Sequence, residues 1–449
     1  MPKHCVLVVL DGLGDRACPQ LGNLTPLQAA AIPFLDRLAR EGGCGLYHAG
    51  MLGQALPSEN AHFAMFGYGP EDFPGRGWLE ALGQGLRPEP GAVAVLAHLC
   101  AVSERQGCLH MDVDAPPAAP EECAAAAAAV ARFSHAGVDI RFEHGKGLFG
   151  VLIITPHAAG GHVSPHVTDS NTMRDNAFLS AILPHAGHAE DPAAQRTARA
   201  LAAYVRHCHR TLRNLPLNHA RRSRGLPPLS GLVTQRPGAD RQVMPFAERY
   251  GMRGVSVSAG VIYWGIARYL GLDLVPDPDS GDPGADLARR LDLARAEIAQ
   301  GAGFVHVHTK APDEAAHRKD PLLKLAAIES LDRGLAQGLP PLLDDPEVLV
   351  AVTADHSTPS VGALVHSGEP VPLVFHGPGV RQDAVSRFDE AAVAAGCLGC
   401  VRGGELMLCI LNYLDRARLA GIVDAPRELP YWPGPYDPFP AQPPGEEDA

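Results

Sequence analysis

The sequence has no surplus of positive charge, since 38 Lys and Arg residues stand against 50 Asp and Glu residues, a formal net charge of −12. Because nucleic acids and anionic membranes are bound through surplus Lys and Arg, neither partner is expected. No apolar run approaches the roughly 20 residues needed to span a bilayer. Met1-Pro-Lys-His leads into a short apolar run without the features of a signal peptide. These absences predict a cytoplasmic protein.

Closely spaced cysteines are also scarce. Ten cysteines are scattered along the chain, and Cys397 and Cys400 form the one closely spaced pair. A single CxxC pair is weak support for zinc or redox chemistry, so reduced packing thiols are the favoured interpretation. What the chain does have is the ordinary composition of a soluble globular protein, 46% hydrophobic and 20% charged, and 449 residues, enough for two or three domains.

The most informative stretch is a buried strand that ends in a carboxylate and an imidazole. Val348–Val352 is a short apolar, β-branched run, typical of a strand buried on both faces of a parallel sheet. Asp355 and His356 follow it, where open α/β sheets bind ligands. Oxygen and nitrogen donors together suit divalent metals. Alone, such a pair is more often structural, so the interpretation depends on further ligands at the same edge.

A second strand of this kind lies near the start of the chain. Cys5–Leu10 predicts a buried strand, and Asp11 follows at its tip in a glycine-rich exit turn. Asp11 is either a turn residue or a ligand whose placement mirrors that of Asp355. Further along, Pro57-Ser58 precedes a run compatible with a helix, which makes Ser58 either an N-cap or a nucleophile that handles phosphate at a helix N-terminus. A metal on its hydroxyl would supply the activation that serine lacks.

A third strand-to-helix segment carries a spaced pair of donors. Phe304–His308 predicts a strand, and Pro312 near the next helix start places Asp313 and His317 four residues apart on one face. This spacing favours a metal site, with an i,i+4 ion pair as the alternative. His366 follows later as a single histidine in a turn-rich loop.

Between residues 85 and 285 the character of the sequence changes. Three histidines, among them His162, precede Asp169-Ser-Asn171 in a polar loop that predicts substrate contact or a solvated surface. Arg221, Arg222 and Arg224 concentrate guanidinium groups, which favour an anion site in an acidic protein, with a solvated helix end as the alternative. A Pro- and Gly-rich stretch at Val275–Gly284 predicts a hinge, and the tail from Ala425 is expected to be irregular.

Six segments together resemble the archaeal-type cofactor-independent phosphoglycerate mutases of the alkaline phosphatase superfamily. They span residues 5–86 and 304–380 and match in order and spacing. The segments are VLVVLDGLGD, TPLQAAAIPFLDRLAREG, SENAHFAMFGYGPEDFPGRGWLEALGQGL, HVHTKAPDEAAH, TADHSTP and HSGEPVPLVFHGPG.

The resemblance implies an α/β fold in which an alkaline-phosphatase-like core, a mainly parallel sheet flanked by helices, is interrupted by a smaller inserted α/β domain. The expected core is 1–85 plus 285–449, and the expected substrate-binding insert is 86–284. Two divalent ions are implied, Mn²⁺ or Zn²⁺ first and Co²⁺ or Mg²⁺ next. The implied ligands of one are Asp11, Ser58, Asp355 and His356; those of the other are Asp313, His317 and His366. The candidate substrate-binding residues are His162, Asp169, Arg221, Arg222 and Lys310.

The chain departs from the family pattern in several places. Leu148-Phe149-Gly150 stands where the family carries an arginine, and Asp169-Ser-Asn171 stands where it carries Asp-Pro-His. Pro57 replaces a glycine, and Glu59-Asn60 replaces Asp-Thr. These departures leave the phosphoryl-transfer residues in place, while the identity of the phosphorylated organic acid and the oligomeric state stay open.

Three functions are compatible with this pattern. The leading one is metal-dependent transfer through a phosphoserine at Ser58, interconverting 3-phosphoglycerate and 2-phosphoglycerate. The second keeps the serine and metals but ends in hydrolysis of a phosphate ester or a phosphonate. The third is a catalytically silent metabolite-binding relative, which is disfavoured because all seven presumed ligands are present.

Overall fold

The computed structural model describes residues 1–157 and 161–441. Gly160 of the polar loop and residues 442–449 of the tail lie outside the described residues. The chain forms two compact units. The core unit comprises Met1–Glu71, Val243–Gly260 and the residues from Leu270 onward, and the second unit comprises Asp72–Gln242 and Val261–Tyr269.

The strands of the described residues, in chain order, are β1 (His4–Leu10), β2 (Gly43–His48), β3 (Val93–Arg105), β4 (Cys108–Val113), β5 (Arg132–His135), β6 (Val138–His144), β7 (Phe149–Pro156), β8 (Ala177–Phe178), β9 (Gly231–Ala239), β10 (Gly254–Ser258), β11 (Asp273–Pro276), β12 (Phe304–Thr309), β13 (Val348–Thr353), β14 (Val371–His376) and β15 (Gly399–Arg402). The helices are α1 (Pro26–Ala29), α2 (Pro33–Glu41), α3 (Ser58–Met65), α4 (Arg76–Gly83), α5 (Pro120–Ala129), α6 (Pro192–Leu212), α7 (Pro216–Ser223), α8 (Phe246–Tyr250), α9 (Val261–Leu270), α10 (Pro283–Ala299), α11 (Ala311–His317), α12 (Pro321–Gly338), α13 (Pro340–Leu343) and α14 (Glu405–Tyr413).

The core unit is built on one mainly parallel sheet with the strand order β11-β10-β12-β1-β13-β14-β2-β15. β1 lies between β12 and β13 and pairs with both in parallel, whereas β14 runs antiparallel to β13 and β2. The residues of β12 and β13 are buried throughout, as a sheet covered on both faces requires. The predicted α/β class is confirmed, and the register brings the residues that follow β12, β1 and β13 to one sheet edge.

Local signals explain the helices beside this edge. α1 begins after Thr25, whose side chain accepts from Gln28 N in a capping box. α12 begins after Asp320, whose carboxylate accepts from the amides of Leu322 and Leu323. α12 then lies along α11, α10 and α1, and carries Lys324 into the core.

The second unit contains an antiparallel sheet of order β5-β6-β7-β3-β4-β8, with β9 also paired to β3. The long β3 pairs through its first half with β7 and β9 and through its second half with β4. α5 and α6 supply buried residues to the same hydrophobic core as these strands. α4 and α9 approach so closely that a Cβ on Gly265 would lie 1.9 Å from the carbonyl oxygen of Leu79.

The boundaries of the two compact units differ from the domain boundaries predicted from the sequence, which lie at 85/86 and 284/285. β10 and β11 pair within the core-unit sheet, although they lie inside the range 86–284 predicted for the insert. These strands have only five and four residues, and the second ends at Pro276 in the stretch predicted to be a hinge. A substrate-binding role for the second unit stays a prediction. None of the described helices is both long and apolar enough to cross a membrane.

Candidate active site

Two buried aspartates follow neighbouring parallel strands of the core unit. Asp11 follows β1 and Asp355 follows β13, and both are at most 1% exposed. The amide of Gly12 donates to Asp355 Oδ1 over 3.1 Å, so the two exit turns are joined directly. Parallel pairing therefore places the two carboxylates at the same edge of the sheet.

Ser58 lies at the start of α3 beside His356. The N-cap of α3 is Pro57, so Ser58 is the first helical residue and its hydroxyl does not cap the helix. Proline before the helix fixes an extended entry, with φ −73° and ψ 153°. Ser58 Oγ lies 3.0 Å from Nε2 of His356, and both residues are 5% exposed. The buried serine hydroxyl therefore faces the donors that follow β1 and β13.

Asp313 lies within reach of two histidines from separate segments. Nε2 of His317, one turn further along α11, is 3.2 Å from Asp313 Oδ1, and Nε2 of His366 is 3.5 Å from the same oxygen. His366 Nδ1 lies 2.8 Å from the carbonyl oxygen of Leu56 and donates to it, which leaves the lone pair on Nε2, the nitrogen that faces Asp313. The i,i+4 contact of Asp313 and His317 is thus part of a larger cluster.

Two groups of donors have the spacing of metal sites. Within each group, one ligand atom per residue lies within 4.8 Å of the others. One group is Asp313, His317 and His366; the other is Asp11, Asp313 and His356. Asp313 belongs to both groups.

The donor chemistry fits divalent cations. Oδ2 of Asp355 is buried without a hydrogen bond to any described residue, whereas Oδ2 of Asp313 lies 3.3 Å from the Lys310 ammonium. A buried carboxylate oxygen left without a hydrogen bond is costly unless a cation approaches it. Carboxylate oxygen and imidazole nitrogen are the donors preferred by Zn²⁺ and Mn²⁺.

The pKa shifts of the clustered carboxylates also indicate a site that favours cations. Burial by itself would raise the pKa of Asp11, but the Lys310 ammonium and the hydrogen bond with His308 outweigh it and hold that pKa below its usual range. Burial, followed by the charges of Asp11 and Asp313, raises the pKa of Asp355 well above its usual range. Three carboxylates so close cannot all be charged at low cost without cations. Burial would lower the pKa of Lys310, but the same three carboxylates raise it.

Three buried histidines, His62, His306 and His308, pack behind Asp11 and Ser58. His308 Nε2 lies 3.1 Å from Asp11 Oδ2, and His62 Nδ1 donates to the carbonyl oxygen of Ser58 over 2.8 Å. The ring centroids of His62 lie 5.4 Å from His306 and 5.3 Å from His308. Burial lowers the pKa of all three, to about 3 for His62, so they are neutral at pH 7.

A buried ammonium joins the loops that carry the aspartates. Lys324 is fully buried, and its Nζ donates to the carbonyl oxygens of Gly14 and Thr358, each over 2.8 Å. It also pairs with Asp15 at 3.1 Å. The Asp15 carboxylate in turn accepts from the amide of Ser360. Lys324 therefore holds the loop after β1 against the loop after β13.

Comparison with known proteins agrees with this geometry. The Metalloenzyme superfamily profile matches residues 3–413. The chain is 37% identical to 2,3-bisphosphoglycerate-independent phosphoglycerate mutase 2 of Methanocaldococcus jannaschii, over 96% of this chain and 97% of that protein. The corresponding mutase of Methanopyrus kandleri is 36% identical, with coverage of 94% and 99%. The chain belongs to the 2,3-bisphosphoglycerate-independent phosphoglycerate mutase family.

Two solved structures are similar to this chain over nearly its whole length. The PH0037 protein of Pyrococcus horikoshii superposes with a TM-score of 0.75 at 29% identity, covering 94% of this chain and all of that one. The cofactor-independent phosphoglycerate mutase of Thermoplasma acidophilum superposes with a TM-score of 0.62 at 29% identity, covering 91% and 99%.

The expected mutase-family substrate residues are divided between the units. Lys310 lies in the core unit, with Nζ 3.3 Å from Asp313 Oδ2. The other four lie in the second unit. His162 is exposed and its carbonyl oxygen accepts from Arg196, while Asp169 Oδ1 accepts from the amide of Arg236. The site described above therefore contains one of the five.

The two adjacent arginines of the predicted anion site, Arg221 and Arg222, differ sharply in burial. Arg221 is fully buried, donates to the carbonyl oxygens of Pro227 and Pro117, and pairs with Glu122. Arg222 is exposed, with Nη2 3.5 Å from His219 Nδ1. The contacts of Arg221 hold α7 against α5, and those of Arg222 fit a solvated helix end.

Sequence reasoning missed the supporting residues of the mutase-family site. His62 stands four residues after Ser58 on α3, the spacing that puts two side chains on one helix face. His306 and His308 alternate along β12 and so share one face of the sheet. Lys324 had no signal, because a lysine within an amphipathic helix is normally solvated.

Proposed function

We propose that the chain is a phosphoglycerate mutase that moves a phosphoryl group between 3-phosphoglycerate and 2-phosphoglycerate through a phosphoserine at Ser58. The observation that carries this proposal is the buried Ser58 hydroxyl, 3.0 Å from His356 Nε2 at an edge shared with Asp11 and Asp355. Membership in the mutase family supplies the substrate, a small phosphorylated acid.

Two divalent ions are part of the proposal. Asp11, Ser58, Asp355 and His356 would hold one, and the cluster of Asp313 with its two histidines would hold the other; the position of Asp313 also allows it to contact both. When bound, such ions lower the pKa of the serine hydroxyl and neutralise phosphoryl oxygens. The imidazoles favour Mn²⁺ or Zn²⁺, then Co²⁺, over a pair of Mg²⁺ ions.

The protein groups would then act in sequence. Ser58 Oγ loses its proton and forms a bond to phosphorus as the bond from phosphorus to the 3-oxygen of glycerate breaks, and that oxygen takes up a proton. The 2-hydroxyl of the same glycerate then loses its proton and accepts the phosphoryl group as the bond from phosphorus to Ser58 Oγ breaks, and Oγ takes up a proton again. The Lys310 ammonium lies at the site to balance phosphoryl charge. Burial of Ser58 limits the access of water, which would otherwise hydrolyse the phosphoserine.

Product analysis tests the proposal. The full chain is treated with chelator, reloaded with Mn²⁺ and incubated with 3-phosphoglycerate, and the products are followed by phosphorus NMR. Formation of 2-phosphoglycerate that ceases on chelation is the expected result. Release of inorganic phosphate with free glycerate would instead assign the chain to the phosphatases. Absence of any phosphoryl transfer to or from the protein would overturn the proposal.

A further inference from the structure

The hydroxyl of Thr358 lies between the two groups of donors. Thr358 Oγ1 donates to Asp313 Oδ1 over 2.8 Å and lies 3.2 Å from His356 Nδ1. We propose that Thr358 is a positioning residue that fixes the tautomer of His356 and couples the two metal groups. This inference rests on the proposed function, because it concerns how the chain prepares those donors for their ions.

The direction of the hydrogen bonds follows from the inventory of donors. A threonine hydroxyl has one hydrogen, and a carboxylate can only accept. With that hydrogen given to Asp313, the contact between Thr358 and His356 requires the imidazole to donate from Nδ1. The chain of bonds is therefore from His356 Nδ1 to Thr358 and from Thr358 to Asp313.

The consequence lies on the opposite side of the His356 ring. With the hydrogen on Nδ1, the lone pair stands on Nε2. That atom lies 3.0 Å from Ser58 Oγ, 3.3 Å from Asp355 Oδ2 and 3.6 Å from Asp11 Oδ1. A neutral imidazole ligates through the nitrogen that lacks hydrogen. The threonine thus presents the ligating nitrogen to the serine and the two aspartates.

Thr358 is itself held rigidly, as a positioning residue must be. It is fully buried, its amide donates to Gly14 O over 2.9 Å, and its carbonyl oxygen accepts from Lys324. A Cβ on Gly12 would lie only 2.6 Å from Oγ1, so the exit turn of β1 closes over the hydroxyl. Partners of this kind, beyond the ligands themselves, set ligand orientation.

Three variants isolate the hydroxyl. Thr358→Val removes it at nearly constant shape, and Thr358→Ser restores it. Thr353→Val is the matched control, because Thr353 is also fully buried and its hydroxyl donates to the carbonyl oxygen of Pro372 over 2.8 Å, within the sheet. The control removes a buried threonine hydroxyl of the same strand-and-loop segment without touching either donor group.

The first readout is Mn²⁺ binding to the chelated full chain by calorimetric titration. We expect Thr358→Val to weaken binding about 10–100-fold at both sites, with Thr358→Ser and Thr353→Val close to the wild type. Equal affinities in Thr358→Val and the wild type, or the same loss in the Thr353→Val control, would overturn the inference. If the wild type itself binds no Mn²⁺, both the proposed function and this inference fail.

The second readout does not depend on a variant that folds. Nitrogen NMR of histidine-labelled, metal-free wild type reports which ring nitrogen of His356 carries the hydrogen, with His356→Gln used to assign the signal. Hydrogen on Nδ1 supports the inference. Hydrogen on Nε2 would overturn it, whatever the titrations give.

Discussion

Ser58 Oγ and His356 Nε2 are 3.0 Å apart, although 298 positions separate the two residues in sequence. Their contact is made by two independent elements: α3 begins at Ser58 directly after Pro57, and His356 lies three residues past the end of β13. Neither side chain faces solvent, since each residue is 5% exposed. A serine held in this way has no helix-capping or surface role. Its position beside His356, which would hold the same ion, fits the nucleophile of the proposed reaction.

Replacing Ser58 with alanine is expected to abolish both turnover and the phosphoenzyme. The nucleophilic route has no substitute for Oγ, so the loss should reach several orders of magnitude. The measurement is acid-stable labelling of the protein by phosphorus-32 3-phosphoglycerate, with the mutase rate alongside. Ser230→Ala is the control, because Ser230 is 2% exposed and its hydroxyl donates to Val102 O in the second unit. Persistent labelling of the Ser58→Ala protein would move the nucleophile elsewhere.

Metal content is expected to depend unequally on two ligands. Asp313 belongs to both donor groups and His317 to one. Asp313→Asn should therefore weaken the binding of both ions, whereas His317→Ala should weaken mainly the binding of one. Elemental analysis after dialysis against Mn²⁺ should give about two ions per chain for the wild type and fewer for each variant, lowest for Asp313→Asn. Asp292→Asn, a surface carboxylate 65% exposed and paired with Arg295, is the control. Equal retention in Asp313→Asn and this control would contradict the shared role.

The sequence predicts the sheet edge well because burial on both faces leaves an unmistakable pattern. The apolar runs of β1, β12 and β13 end where the structure has them end, to within one residue, so Asp11 and Asp355 could be placed at their tips. Asp313 and His317 followed from helical spacing alone. In each case the signal is local, within about ten residues.

Residues whose roles depend on distant partners could not be predicted. The anion-binding role predicted for Arg221 stays a prediction, but its pairing with Glu122, 99 positions away, is visible only in the structure. Lys324 finds its acceptors more than 30 positions away in either direction. The short β10, GVSVS, carries too little pattern to reveal that it joins the core-unit sheet beside β12. The roles of these residues depend on partners that are distant in sequence, and local sequence patterns do not reveal such partners.

The metal-free protein is expected to lose stability as pH falls below about 6.5. Burial lowers the pKa of His62 to about 3 and that of His306 well below its usual range, whereas unfolded histidines titrate near 6.5. The unfolded chain therefore binds more protons between these values, and each such histidine costs ~1.4 kcal/mol per pH unit within that window. Asp355 works in the opposite direction, since its raised pKa favours the folded state at low pH.

Replacing one buried histidine separates these contributions. Urea unfolding of chelated His306→Gln at pH 7, 6 and 5 should give a free energy of unfolding that depends on pH less steeply than in the wild type, by about one proton. His135→Gln, which alters an exposed histidine of β5, should keep the wild-type slope. If the free energy of unfolding changes with pH by the same slope in all three proteins, His306 takes up a proton in the folded state as readily as in the unfolded chain. That result would contradict the prediction made from its burial among Phe66, His62 and His308.

Gly12 and Gly22 have nearly the same backbone conformation but different surroundings. Alanine variants at the two positions therefore distinguish the backbone cost of a positive φ from the steric clash of an added Cβ. Gly12 has φ +69° and Gly22 has φ +67°, so alanine at either position carries the left-handed cost of about 1–2 kcal/mol. A Cβ at Gly22 meets nothing within 4 Å. A Cβ at Gly12 would lie 2.6 Å from Thr358 Oγ1 and 2.7 Å from Asp313 Cβ.

Gly12→Ala is therefore expected to lose a further ~1–3 kcal/mol of unfolding free energy relative to Gly22→Ala, since well-packed surroundings resist added atoms. It should also weaken Mn²⁺ binding, because the clash displaces Asp313 and Thr358, whereas Gly22→Ala should bind Mn²⁺ as the wild type does. Urea unfolding and Mn²⁺ titration of the two variants measure both effects. Equal stability losses with unchanged Mn²⁺ affinity would mean that the turn after β1 yields without disturbing the ligands, and that the close packing around Thr358 does not hold them.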